Sequence, residues 1–263
     1  MNDRLNLKQR RWLLKLLATT PLWSHPVAWA LDTNDASGKA IHGGCLLMDQ
    51  AEGEQLLSKA SLSDLGGVEV IQSTGDRRFD RALGTMLADL AGRFRVRPGF
   101  GFYDDAQPNA LALTESRFSH SQGSVLLGRQ MLKIGMRGDY GDWFVMGICA
   151  HEFAHIVQYF SDGLYQRLSE GQASAKRVEL HADFLSGYYM GLRAADLQFS
   201  AAELRALGQT WETLGDSAYT SARHHGTAAE RLDAIESGFK LARERPEFGI
   251  RAACEVGARY LGV

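Results

Sequence analysis

Apolar positions follow two rhythms along this chain, a helical one and a shorter alternating one. In residues 78–94, Phe79, Leu83, Met86, Leu87 and Leu90 recur at helical spacing and predict an amphipathic helix. Glycine-punctuated pieces follow at 97–104, 109–113 and 123–127, the last running into Gly128-Arg129-Gln130. Their alternation and the turn residues between them predict a small antiparallel sheet. From residue 142 onward the rhythm is helical again. Helices are expected over 142–160 and 173–192, then from Ser200, which can cap with Glu203, and over 227–243, stopped before Pro246. Residues 31–75 carry little pattern beyond a short helix near 50–61. Neither repeats nor low-complexity tracts occur, so the expected architecture is α+β, one domain over 31–263.

The helix over 142–160 is apolar around most of its circumference, through Phe144, Val145, Met146, Ile148, Phe153, Ile156 and Val157, and is expected to be buried. Inside it lies His151-Glu152-Phe153-Ala154-His155. Residues four apart share a helix face, so both imidazoles can reach one ion. Glu152 lies about 100° round the helix, outside the ligand set but within reach of a water at the ion. It would act as general base while the ion lowers the water's pKa and polarises a carbonyl. With 8 histidines in the chain, chance yields this His-Glu-x-x-His spacing in roughly one such chain in a hundred. Surface histidines flanking an acid would be the bland explanation. Buried polar groups instead need partners, and a metal supplies them.

A zinc ion needs a third protein ligand and an open position. Glu179-Leu180-His181-Ala182-Asp183 offers candidates on the next helix. Glu179 and Asp183 share a face, and His181 is about 200° from Glu179. If Glu179 is the ligand, Asp183 can hydrogen-bond a ligand histidine and fix its tautomer. The rival assignment makes His181 the third ligand.

Composition adds compartment and partners. The 263 residues are 45% hydrophobic and 23% charged, as in ordinary globular proteins. A formal charge of -2 argues against nucleic acid as a partner. No run of about 18 apolar residues predicts a membrane-spanning helix. Residues 1–30 hold Arg4, Lys8, Arg10, Arg11 and Lys15 against one acid, Asp3. A basic start, a modest apolar stretch and a small-residue end at Ala28-Trp29-Ala30 form a signal-peptide pattern. A basic amphipathic helix lying on a membrane is the alternative. Three cysteines, Cys45, Cys149 and Cys254, exclude a complete disulfide framework. Cys149 reads as a buried thiol, whereas Cys45 and Cys254 could pair in an oxidising compartment.

Two resemblances sharpen this picture. Arg10-Arg11-Trp12-Leu13-Leu14-Lys15 resembles a twin-arginine export signal, which implies export of a folded protein through the twin-arginine machinery to a bacterial periplasm. The His-Glu-x-x-His and Glu-x-x-x-Asp pair resembles the gluzincin metallopeptidases. It is similar in particular to the HtpX and CaaX-prenyl-protease branch and to bacterial neutral zinc metallopeptidases. Pro108-Asn109-Ala110-Leu111-Ala112 resembles that branch's edge strand, and Gly123-Ser124-Val125-Leu126-Leu127 the strand after it. His225-Gly226-Thr227 with Arg231 resembles a late His-Gly/Pro-Thr motif. The resemblance spans residues 97–240 and implies a zincin-like fold with one Zn2+ held by His151, His155 and Glu179. It also implies that Asn109, Ala110, Leu111 and Ala112 bind an extended polypeptide by strand addition. His225 would stabilise the oxyanion, or else merely cap a helix start beside His224. Arg231 would pair with Asp183 or Glu230. The transmembrane helices of the membrane-bound relatives have no counterpart here, and Gly226 stands where many relatives have proline.

The expected function is a zinc-dependent endopeptidase acting on extended or misfolded polypeptide in the periplasm. A non-hydrolytic zinc-containing binding or chaperone-like protein is the alternative, and a cell-wall amidase or peptidase is a third. A structural zinc would need a fourth Cys or His ligand, and Cys149, about 200° from His151 on the helix, is badly placed to be one.

Overall fold

The computed structural model describes residues 69–105, 108–137, 140–212 and 225–263. The expected signal peptide, the helix near 50–61, Cys45 and His224 lie outside these residues. The described chain is α+β, with eight helices and a three-stranded sheet. It opens on helix α1 (Arg77–Phe94), whose Asp76 carboxylate accepts the Arg78 and Phe79 amide hydrogens. That cap satisfies donors a helix start cannot pair internally. The buried face of α1 carries Phe79, Leu83, Met86, Leu87, Leu90 and Phe94.

Strands β1 (Gly99–Tyr103), β2 (Ala110–Leu113) and β3 (Ser124–Gly128) follow. Their spatial order is β1-β3-β2, with β1 parallel to β3 and β2 antiparallel to it. The expected all-antiparallel sheet is therefore corrected to a mixed one. A carboxylate steers the chain here. Asp105, just after β1, accepts from the amides of Asn109, Gln130 and Met131, tying the turn into β2 to the start of α2 (Arg129–Gly135). Strand β3 lies between β1 and β2. Phe102, Ala110, Ala112, Val125 and Leu127 face the main core; Tyr103, Leu111, Leu113 and Leu126 form a cluster on the other face.

The helical body comprises α3 (Gly141–Phe160), α4 (Leu164–Ser169), α5 (Lys176–Leu197), α6 (Ala201–Glu212), α7 (Ala228–Glu244) and α8 (Ile250–Tyr260). Ser200 and Glu203 exchange hydrogen bonds at the start of α6. Thr227 and Glu230 form a full capping box on α7. Helix α3 is buried almost throughout and packs on β2, β3, α1 and α5. Helix α5 is clasped between α3 and α7. Its approach to α7 is backbone-close, since a Cβ on Gly238 would lie 1.8 Å from the Phe184 carbonyl oxygen. Such a crossing admits only glycine at that point. It also sets Asp183 of α5 beside Arg231 of α7. No described helix is long and apolar enough to cross a membrane.

Candidate metal centre

Helices α3 and α5 supply the centre. One α-turn separates His151 from His155, so their rings meet edge-to-face on a single face of α3, nearly perpendicular at 87°. Their Nε2 atoms lie 3.1 Å apart. From α5, Glu179 places Oε2 3.4 Å from His151 Nε2 and Oε1 3.4 Å from His155 Nε2. All three side chains are buried, and together they form a group able to hold a metal ion. Tetrahedral ligands about 2.0–2.1 Å from an ion stand roughly 3.3 Å from one another, close to the spacings found.

Two further observations fit a cation. The buried Glu179 carboxylate reaches only the two histidine Nε2 atoms, each at 3.4 Å, and makes no close hydrogen bond, which is costly for an anion removed from water. Burial works to raise the Glu179 pKa, but His155 and His151 outweigh it and pull it down to about 2, so the group stays ionised. Burial also lowers the His155 pKa to about 4, leaving that ring neutral at pH 7. Anion and imidazole lone pair together make a donor set suited to a divalent ion.

Outer contacts hold the ligands in place. Asp183 Oδ1 lies 3.0 Å from His151 Nδ1. Arg231 grips the same carboxylate through two nitrogens, Nε at 2.8 Å and Nη2 at 2.9 Å. Burial pushes the Asp183 pKa up, but Arg231 and His151 hold it well below the usual carboxylate range. Of the two acids expected for Arg231, Asp183 is the one it grips, and Glu230 takes Lys176. On His155, Nδ1 lies 2.9 Å from Gln158 Oε1. Sequence reading passed over Gln158, although it follows His155 by three positions on the same helix face.

Glu152 is buried on α3 next to His151. His181 lies apart from the donor group, between Gln158 and the Cys254 carbonyl of α8. His225, half-buried just before α7, is near enough to Glu179 to help hold it ionised. Cys149 and Cys254 are free and buried; burial and Glu152 push the Cys149 thiol far up, and neither cysteine joins the donor group. Strand β2 lies at one edge of the sheet and packs on α3. The Asn109 carbonyl accepts from the Gly128 amide. By ladder alternation, the backbone groups of Ala110 and Ala112 then point away from β3 while Leu111 faces it. No family model, curated protein or solved structure matches the chain.

Proposed function

We propose that this chain is a zinc-dependent endopeptidase of the gluzincin type that hydrolyses extended or misfolded polypeptide, exported to the periplasm by the twin-arginine route. The observation that carries the reading is the buried His151, His155 and Glu179 donor set with Glu152 beside it on the same helix. Among the described residues no fourth His, Cys, Asp or Glu joins that group. Three protein ligands suit a catalytic site, whereas a structural zinc takes four.

When bound, the ion supplies Lewis acidity, lowering the pKa of water and polarising the peptide carbonyl. The chain's own residues do the rest. Glu152 takes the proton of the attacking water at its carboxylate and returns it to the leaving amine nitrogen. His225 offers a ring N–H to the developing oxyanion. Ala110 and Ala112 are buried in the structure, so they would offer backbone donors and acceptors to an extended substrate, and recognise it by its main chain, once this edge of the sheet is uncovered. Arg231, through Asp183, keeps His151 oriented.

The test compares the purified wild type with Glu152→Gln on an unfolded protein substrate, with zinc content measured on both. Chelator-sensitive cleavage should fall by about two to four orders of magnitude in the variant, while zinc is retained. Absence of chelator-sensitive cleavage in a zinc-loaded wild type would favour the non-hydrolytic zinc protein instead.

A further inference from the structure

Gln158 stands between two buried histidines, and its amide can face only one way. The Val178 carbonyl oxygen lies 2.9 Å from Gln158 Nε2. A main-chain carbonyl accepts and never donates, so the amide nitrogen must face it. The amide oxygen is then the atom 2.9 Å from His155 Nδ1. An amide oxygen cannot donate, so His155 carries its one ring hydrogen on Nδ1 and leaves Nε2 as a bare lone pair. The carboxylate of Asp183, held by Arg231, imposes the same tautomer on His151.

The consequence lies between the rings. Their Nε2 atoms are 3.1 Å apart, an ordinary hydrogen-bond length. With the opposite tautomer, His155 would donate to His151 and the pair would satisfy itself. We propose that Gln158 is a positioning residue that holds His155 in its Nδ1–H tautomer, and so prevents the two imidazoles from closing the cation site by bonding each other. His181 supports the arrangement from behind. Its Nδ1, 3.1 Å from Gln158 Nε2, takes the second amide hydrogen, and its Nε2, 3.1 Å from the Cys254 carbonyl, donates into α8. Gly257 lets α8 come this close, since a Cβ there would lie 3.2 Å from His181 Nε2.

This inference rests on the metal-centre reading, and the experiment separates the two. Long-range proton–nitrogen NMR on the full chain, stripped of metal, reads each ring's tautomer; chelator competition reads zinc affinity. In the wild type both His151 and His155 should be Nδ1–H. Gln158→Met should let His155 populate Nε2–H while His151 stays unchanged, and should weaken zinc binding about ten- to a hundredfold. Gln158→Glu, ionised or protonated, still turns an acceptor toward His155, so its zinc affinity should stay within about threefold of wild type or exceed it. A merely structural glutamine predicts the reverse order, because glutamate sets a buried charge against the Val178 carbonyl. An Nε2–H tautomer of His155 in the wild type, full zinc affinity in Gln158→Met, or a glutamate variant weaker than the methionine one would each overturn the proposal. A wild type that binds no zinc would refute the metal centre, while the tautomer measurement, which needs no metal, still decides the role of Gln158.

Discussion

Two buried histidine clusters meet at Gln158, and they differ in how their lone pairs are answered. On one side, both ring nitrogens of His181 have partners, the Gln158 amide and the Cys254 carbonyl. On the other, the Nε2 atoms of His151 and His155 converge on a Glu179 carboxylate that each reaches at 3.4 Å. Both clusters are buried, so burial alone does not distinguish a ligand from a core histidine. Convergence of three bases on one point does. A satisfied polar cluster adds specificity to a core, whereas three convergent bases leave an electrostatic debt that a cation removes.

The comparison breaks most sharply at Glu179. Structural zinc sites gain about 10–16 kcal/mol from four ligands, or roughly 2.5–4 kcal/mol each. Glu179→Gln should therefore lose two to three orders of magnitude in zinc affinity. Its metal-free stability at pH 7 should fall, because His155 and His151 hold the folded-state carboxylate below its unfolded pKa and that contribution is lost with the charge. Chelator competition and urea unfolding in chelator read the two quantities, and wild-type zinc binding in this variant would remove Glu179 from the ligand set.

Acid should act next. Burial lowers both His155 and His181 to about 4. Their unfolded value is near 6.5, so between those limits the unfolded chain binds more protons than the folded one. Stability of the metal-free protein is then complete above about pH 6.5. It falls as pH drops toward 4, by up to about 3 kcal/mol per histidine. Unfolding curves taken across that range check this, and His181→Leu should show the shallower slope. A flat profile in the wild type would mean that neither ring is held neutral by burial.

The smallest effect expected is on the satisfied side. His181→Leu strands a Gln158 amide hydrogen and removes a donor from the Cys254 carbonyl, which should cost the metal-free fold about 1–3 kcal/mol. Urea midpoints in chelator measure it. A neutral result would show that the two clusters do not differ in the way described.

Much of this was legible along the chain, but unevenly. The helical spacing of Phe79, Leu83, Met86 and Leu90 predicted α1, Ser200 with Glu203 marked the start of α6, and α7 was placed over 227–243 by its spacing and Pro246. Those signals are local, set by side-chain period and by caps within four residues. Helix α8 went unpredicted although Ile250, Ala253, Cys254, Gly257 and Ala258 keep helical spacing. Its face is made of small residues, which give a weak apolar signal but a close fit against His181 and Phe184. The strands were placed to within two residues, yet their pairing was misjudged. Strand pairing rests on contacts between distant parts of the chain, and the Asp105 carboxylate beside β1 itself reaches 26 residues along it to Met131.

By itself, then, the sequence determined that His151 and His155 share one helix face, that Glu152 sits beside them, and that Glu179 and Asp183 share another. Fixed helical geometry settles those relations without reference to the rest of the molecule. Only the tertiary structure decided that Glu179, not His181, meets the histidine pair, that Arg231 rather than a solvent ion holds Asp183, and that Gln158 sets the tautomer of His155. Each of those depends on how α3, α5, α7 and α8 cross. Such crossings follow from close packing between helices, at Gly238 and Gly257 among other places, which a pattern read along one helix does not contain.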